Sequence, residues 1–92
     1  MDLTWSTEED AFRADTRAWL ETELHKWRDR HDDRILSGDT VEGFAQHLDW
    51  ERRLHTGRWA AVSWPAEVGG RDASLWEWLI FEEEYYRAGG PP

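Results

Sequence analysis

The 92-residue sequence contains no cysteine, a single methionine and three prolines, and sets only 11 basic side chains against 20 acidic ones. Without cysteine there is no disulfide framework and no thiolate chemistry, which fits a reducing compartment. The shortage of cations leaves a net charge of −9. That disfavours nucleic acid, whose binding rests on neutralising phosphates with Lys and Arg. It disfavours an anionic membrane surface for the same reason. No apolar run approaches the ~18–20 residues of a membrane span. The start, Met1-Asp2-Leu3-Thr4-Trp5-Ser6-Thr7-Glu8-Glu9-Asp10, has neither the basic opening nor the apolar stretch of a secretory signal. The expectation is a cytoplasmic chain with no nucleic-acid and no membrane partner. Its length suits one small domain or part of a larger one, and a domain of this size buries only roughly 60–65 % of its unfolded surface.

Tryptophan, by contrast, is abundant: Trp5, Trp19, Trp27, Trp50, Trp59, Trp64, Trp76 and Trp78. Each can bury roughly 150–250 Å² and needs a partner for its indole N–H. Core filling is the expected use, since nothing local suggests an aromatic ligand cage.

Three helices are predicted, at about 6–28, 40–56 and 74–88, and no β-strand. Ser6 and Glu9 have capping-box spacing, with Glu8, Glu9 and Asp10 at the positive end of the helix dipole. Phe12, Thr16, Trp19, Leu20, Leu24 and Trp27 form the apolar stripe of an amphipathic first helix. Glu9–Arg13 and Arg17–Glu21 are spaced to pair along it. Asp29 to Ser37 reads as a connection. The second helix is expected to start at Asp39, with Glu42 completing a capping box, and to stop at Gly57 in the left-handed position. Its apolar residues Val41, Phe44, Ala45, Leu48, Trp50 and Leu54 drift around the helix, as for two different neighbours. An irregular stretch through Trp64-Pro65 and Gly69-Gly70 follows. Ser74 and Glu77 form a third capping box, and Gly89-Gly90-Pro91-Pro92 ends the third helix.

The third helix carries the main inference. From Leu75 to Tyr86, eight of twelve residues are large and apolar: Leu75, Trp76, Trp78, Leu79, Ile80, Phe81, Tyr85 and Tyr86. They point in nearly every direction, and a helix apolar all round belongs inside a larger body. Two further helices can cover one or two of its sides. The chain alone should therefore expose more apolar surface than soluble proteins ordinarily tolerate.

Candidate chemistry is thin. His47, Glu51 and His55 lie four apart, but the two imidazoles are about 12 Å apart along the axis, too far to share a zinc whose ligands stand roughly 2.0–2.2 Å away. His25, Asp29, His31, Asp32 and Asp33 cluster without the ligand pattern or central glycine of an EF-hand loop. Glu82, Glu83 and Glu84 are consecutive on a helix and so do not converge on one atom. Glu82, on the Leu75–Leu79–Tyr86 side, needs an Arg partner if it is buried. Gly69-Gly70 lacks the G-x-G-x-x-G or terminal Lys-Ser/Thr of a phosphate loop, and Ser63 lacks a nucleophile elbow. No catalytic, cofactor-binding or metal-binding residue is assigned.

As an ordered set, these features resemble the N-terminal helical domain of the acyl-CoA dehydrogenase family. The resemblance runs from Leu3 to Pro92. It rests on Leu-Thr-Trp-Ser-Thr-Glu-Glu-Asp-Ala-Phe-Arg at the start, Arg17-Ala18-Trp19-Leu20, and Trp50-Glu51-Arg52-Arg53-Leu54. Its most specific parts are Gly57-Arg58-Trp59, Ser63-Trp64-Pro65-Ala66-Glu67-Val68-Gly69-Gly70-Arg71, Phe81-Glu82-Glu83-Glu84-Tyr85 and Arg87-Ala88-Gly89-Gly90-Pro91-Pro92. Val68 stands where the family usually has an aromatic, and Asp72 where glycine is common. The resemblance implies an all-α domain 1–92, with the middle β-domain and C-terminal helical domain absent. It implies a parent flavoenzyme that removes an α-proton and a β-hydride from an acyl-CoA thioester and passes the hydride to FAD. The flavin contacts and the catalytic carboxylate belong to the absent domains, so FAD and acyl-CoA are expected to bind only the complete enzyme. The expected partners are those remaining domains, a partner subunit, or a second copy. The rival reading is a small acidic helical interaction module that docks through its third helix.

Overall fold

The structure, a computed structural model, describes residues 5–91; Leu3, Thr4 and Pro92 of the motifs above lie outside the described residues. It is all-helical: α1 (Thr7–Arg30), α2 (Val41–Thr56) and α3 (Leu75–Ala88), with one 3-10 turn at Ala66–Val68. Among the described residues there is no strand.

Helix starts follow the capping residues. Ser6 and Ser74 each form a complete capping box, with Glu9 and Glu77 respectively. The start of α2 differs from expectation: Thr40, not Asp39, is the cap, and its side chain accepts from the Gly43 N–H at 2.9 Å. No capping box with Glu42 forms, because the helix begins one residue later than the Asp39–Glu42 spacing assumes.

Helix ends share one closure with three different residues in it. After α1, Asp33 N–H reaches back to Arg28 O and Asp32 N–H to Asp29 O, with Asp32 at φ 54°. After α2, Trp59 N–H reaches Leu54 O and Arg58 N–H reaches His55 O, with Arg58 at φ 67°. After α3, Gly90 N–H reaches Tyr85 O and Gly89 N–H reaches Tyr86 O, with Gly89 at φ 77°. Each is a Schellman closure around a left-handed residue. Two expectations are corrected by this. α1 runs to Arg30, because Asp32 rather than the 29–37 stretch as a whole terminates it. Gly57 is right-handed (φ −81°), and Arg58 takes the left-handed position instead. Gly57 has a different job: a Cβ there would lie 2.6 Å from the Trp19 indole nitrogen, so Trp19 can lie flat on α2 only because the side chain is missing.

α1 packs chiefly on α3. α2 stands off behind indoles. Trp27 and Trp50 are fully buried, their rings 5.5 Å apart, and Trp19 sits 5.7 Å from Trp50 and 6.1 Å from Trp59. Leu20, Leu24, Leu54, Val62 and Phe81 complete the core. Phe81 stacks on Trp59 at 5.8 Å, and Trp50 Nε1 donates to Tyr85 Oη at 2.8 Å. Trp27, Trp50 and Trp59 fill the core as expected, whereas Trp5, Trp64, Trp76 and Trp78 are exposed, so core filling accounts for only part of the set.

The connection from Arg58 to Ser74 is folded on itself. Arg71 N–H and Ala73 N–H both donate to Val62 O. The Arg71 guanidinium lies 3.5 Å from the centre of the Trp59 ring and donates to Gly57 O and Arg58 O. Burial, then the neighbouring Arg58, lowers its pKa. Asp72 adopts φ 52°, the conformation for which glycine is the usual choice, and its carboxylate accepts from Ala66 N–H at 3.2 Å. Gly70 is packed against Trp64, and a Cβ there would fall 1.9 Å from the Trp64 carbonyl oxygen. Backbone cannot swing aside as a side chain can. Gly70→Ala is therefore expected to cost about 1–3 kcal/mol, read as a lower midpoint in urea with the helical signal intact at low denaturant.

Candidate functional site

Among the described residues the one buried acid is Glu84, 3 % exposed. It sits one turn beyond Ile80 and Phe81, so it shares their inward face. Arg13 and Arg17, one turn apart on α1, converge on it. Arg13 Nη1 donates to Glu84 Oε1 at 2.7 Å, Arg17 Nη2 to the same oxygen at 2.6 Å and Arg17 Nε to Oε2 at 3.2 Å. Arg13 Nη1 also reaches Glu83 at 3.1 Å, and Arg87 reaches Glu83 at 3.3 Å. The Arg17 hydrogen bonds, aided by Arg13, hold the Glu84 carboxyl below its ordinary 4.5 against the opposing effect of burial. The hydrogen bonds to Glu84 raise both guanidinium pKa values in turn. This latch joins α1 to α3 and contains no reactive group.

The latch corrects the sequence reading. Arg13 and Arg17 leave their helix-local partners Glu9 and Glu21 for α3, and Glu9 serves the Ser6 cap. The acid that is buried and paired is Glu84, while Glu82 is exposed. The signal was present: Glu84 follows Ile80 by four and Phe81 by three, and one arginine faces it from each of two successive turns.

The remaining candidates separate. His47 Nε2 lies 2.8 Å from Leu36 O, whereas Glu51 and His55 are exposed. His25 meets Asp29 at 3.5 Å, and His31 meets Asp49 at 3.7 Å. Asp32 and Asp33 are both left-handed and serve the end of α1. No group of three His, Cys, Asp or Glu side chains arranged to hold a metal occurs among the described residues. Ser63 is exposed. The Gly69 and Gly70 N–H groups are already engaged by Ala66 O and Pro65 O. A groove of about 350 Å³ between α1 and α2 is walled by Trp19, Glu23, Asp49, Arg52 and Arg53. Arg53 there pairs with both Glu23 (3.2 Å) and Asp49 (3.5 Å).

What the chain presents outward is apolar. α3 is not enclosed by its companions: Leu75 is 67 %, Leu79 41 % and Tyr86 89 % exposed, with Trp76 and Trp78 exposed beside them. Trp5 lies edge-on to Trp76 at 6.4 Å, and the Arg13 guanidinium covers Trp5. Trp64 and Val68 of the connection are also exposed, as are Val41, Phe44 and Leu48 along α2. The drift of apolar residues around α2 is thereby explained. Trp50 and Leu54 face inward, and the earlier residues face out. Scattered apolar residues are ordinary on a surface, but a contiguous set on one helix marks a contact face. No helix among the described residues is long and apolar enough to cross a membrane.

The sequence model described as "Acyl-CoA dehydrogenase, N-terminal domain" matches residues 6–92. Acyl-CoA dehydrogenase IpdE1 of Mycobacterium tuberculosis is 33 % identical over 82 residues, covering 89 % of this chain and 21 % of that protein. Acyl-CoA dehydrogenase IpdE1 of Mycolicibacterium smegmatis is 33 % identical over 85 residues, covering 87 % of this chain and 20 % of that protein. The chain thus spans about a fifth of the length of the curated relatives it matches. No solved structure matches it. Three capped helices, the locked Trp-Pro-Gly-Gly connection and this match together place the chain in the acyl-CoA dehydrogenase family, as its N-terminal helical domain.

Proposed function

We propose that the chain serves as the N-terminal helical wall of an FAD-dependent acyl-CoA dehydrogenase, structural and inactive alone. The parent enzyme would carry out α,β-dehydrogenation of an acyl-CoA thioester with groups that these residues do not supply. The observation that carries this reading is the uncovered α3. A helix apolar on the side facing α1 and also on the side facing water is built for cover from further protein. That protein is the remainder of the dehydrogenase, and the wall it completes keeps water from the reaction. The same reading carries a cytoplasmic parent enzyme working in fatty acid metabolism.

The residues present do not fit a flavin. In the groove beside Trp19 the Arg53 guanidinium is already held by the Glu23 and Asp49 carboxylates and is not free to receive a pyrophosphate. The paired glycines offer no free N–H for phosphate, and they lead into an irregular stretch rather than a helix N-terminus. Mixing the purified chain with FAD and a range of acyl-CoA thioesters should leave the flavin absorption unshifted and an artificial electron acceptor unreduced. Bound flavin or turnover by the chain alone would overturn the reading.

A further inference from the structure

We propose that Glu82 is the specificity determinant of the α3 docking face, and that the protein surface covering this face presents an Arg or Lys to it. The proposal rests on the reading above that the body of a dehydrogenase covers α3. α3 carries four acids, and three of them have work inside the chain. Glu77 completes the Ser74 cap, Glu83 pairs with Arg13 and Arg87, and Glu84 is held by Arg13 and Arg17. Glu82 meets no cation among the described residues. Its helix neighbours three and four positions away are Trp78, Leu79, Tyr85 and Tyr86. Of these, Trp78, Leu79 and Tyr86 are exposed. The carboxylate therefore stands inside the apolar face and not on its rim.

Any surface that covers Trp78, Leu79 and Tyr86 must also cover Glu82. A carboxylate taken out of water without a partner is too costly to keep ionised, so the covering surface must supply a cation. The same charge discriminates between occupants. A second copy is itself a chain of net charge −9. In a two-fold pairing about this stripe it also sets Glu82 against its own equivalent, and like charges so placed repel. Glu82 thus favours a basic-centred apolar partner and disfavours self-association.

The test uses the full chain and two synthetic amphipathic helices of about 20 residues. Each has a Leu/Ala face, and the two differ only in one central residue of that face, Arg or Glu. The wild-type chain should bind the Arg peptide at least about tenfold more tightly than the Glu peptide. Glu82→Gln should abolish the preference, and Glu82→Arg should reverse it. Position 82 is exposed, so unchanged helical circular dichroism confirms folding. Sedimentation should give a monomer for the wild type and association for Glu82→Leu. Equal binding of the two peptides, binding of neither, or a wild-type dimer overturns the proposal. Equal binding leaves the domain reading intact, whereas flavin turnover by the chain removes that reading and leaves the peptide preference measurable.

Discussion

Trp50→Ala is expected to unfold the isolated chain at physiological temperature. Trp50 is the hub of the interior. Its ring touches Trp19, Trp27 and Tyr85, and its indole N–H satisfies Tyr85 Oη. Truncating a buried Trp typically costs about 3–5 kcal/mol. A domain this small, with α3 uncovered, has a total stability near the low end of roughly 5–14 kcal/mol for its length. The expected fall in Tm is roughly 15–30 °C, followed by far-UV circular dichroism. Trp50→Phe separates packing from the hydrogen bond. It keeps an aromatic ring and leaves Tyr85 with Pro91 O alone, so a smaller loss of about 1–2 kcal/mol is expected. Trp76→Ala is the contrasting control. Exposed on α3, it should change stability by no more than about 0.5 kcal/mol. A Trp50→Ala chain as stable as the Trp76→Ala chain would show that the interior is not organised as described.

Glu84→Ala is the second large effect. It removes the acceptor on which Arg13 and Arg17 converge and so unties α3 from α1 at the latch. Removing one member of a buried ion pair costs about 3–5 kcal/mol. Here Arg17 can turn to solvent, so about 2–3 kcal/mol is expected, or roughly 10–20 °C in Tm. The pH dependence carries the sign. The carboxyl is held below its ordinary 4.5 in the folded chain, so its contribution is present above pH 4.5 and fades as pH falls through the lowered value. The stabilities of the wild type and Glu84→Gln should therefore differ at neutral pH and converge in acid. A gap that persists undiminished at low pH would show that the latch acts through shape and not through charge.

Much of this architecture is legible in the residues. The Ser6–Glu9 and Ser74–Glu77 boxes set two helix starts, because side chain and backbone satisfy each other within four residues. The stripe Thr16, Leu20, Leu24, Trp27 faces inward as its spacing dictates. The excess of apolar surface on α3 was legible too, since no arrangement of two neighbours covers a helix on all sides. Helix ends were harder. The left-handed position is held by Asp32 and Arg58 in two cases of three, and neither residue advertises it as glycine does. The latch was hidden for a different reason. Arg13 and Arg17 have plausible acids four residues away on their own helix, and only packing shows that Glu84 lies closer.

The indoles of Trp27, Trp50, Trp19 and Trp59 touch in succession, from α1 to α2, back to α1 and on to the loop beyond α2. At such separations their electronic transitions couple, and light absorbed by one ring is shared among all four. The near-ultraviolet dichroism that these four rings contribute should then behave as a single optical signature, separate from that of the exposed Trp5, Trp64, Trp76 and Trp78. It will vanish as a unit when the interior opens and persist through any event confined to the outer face of α3.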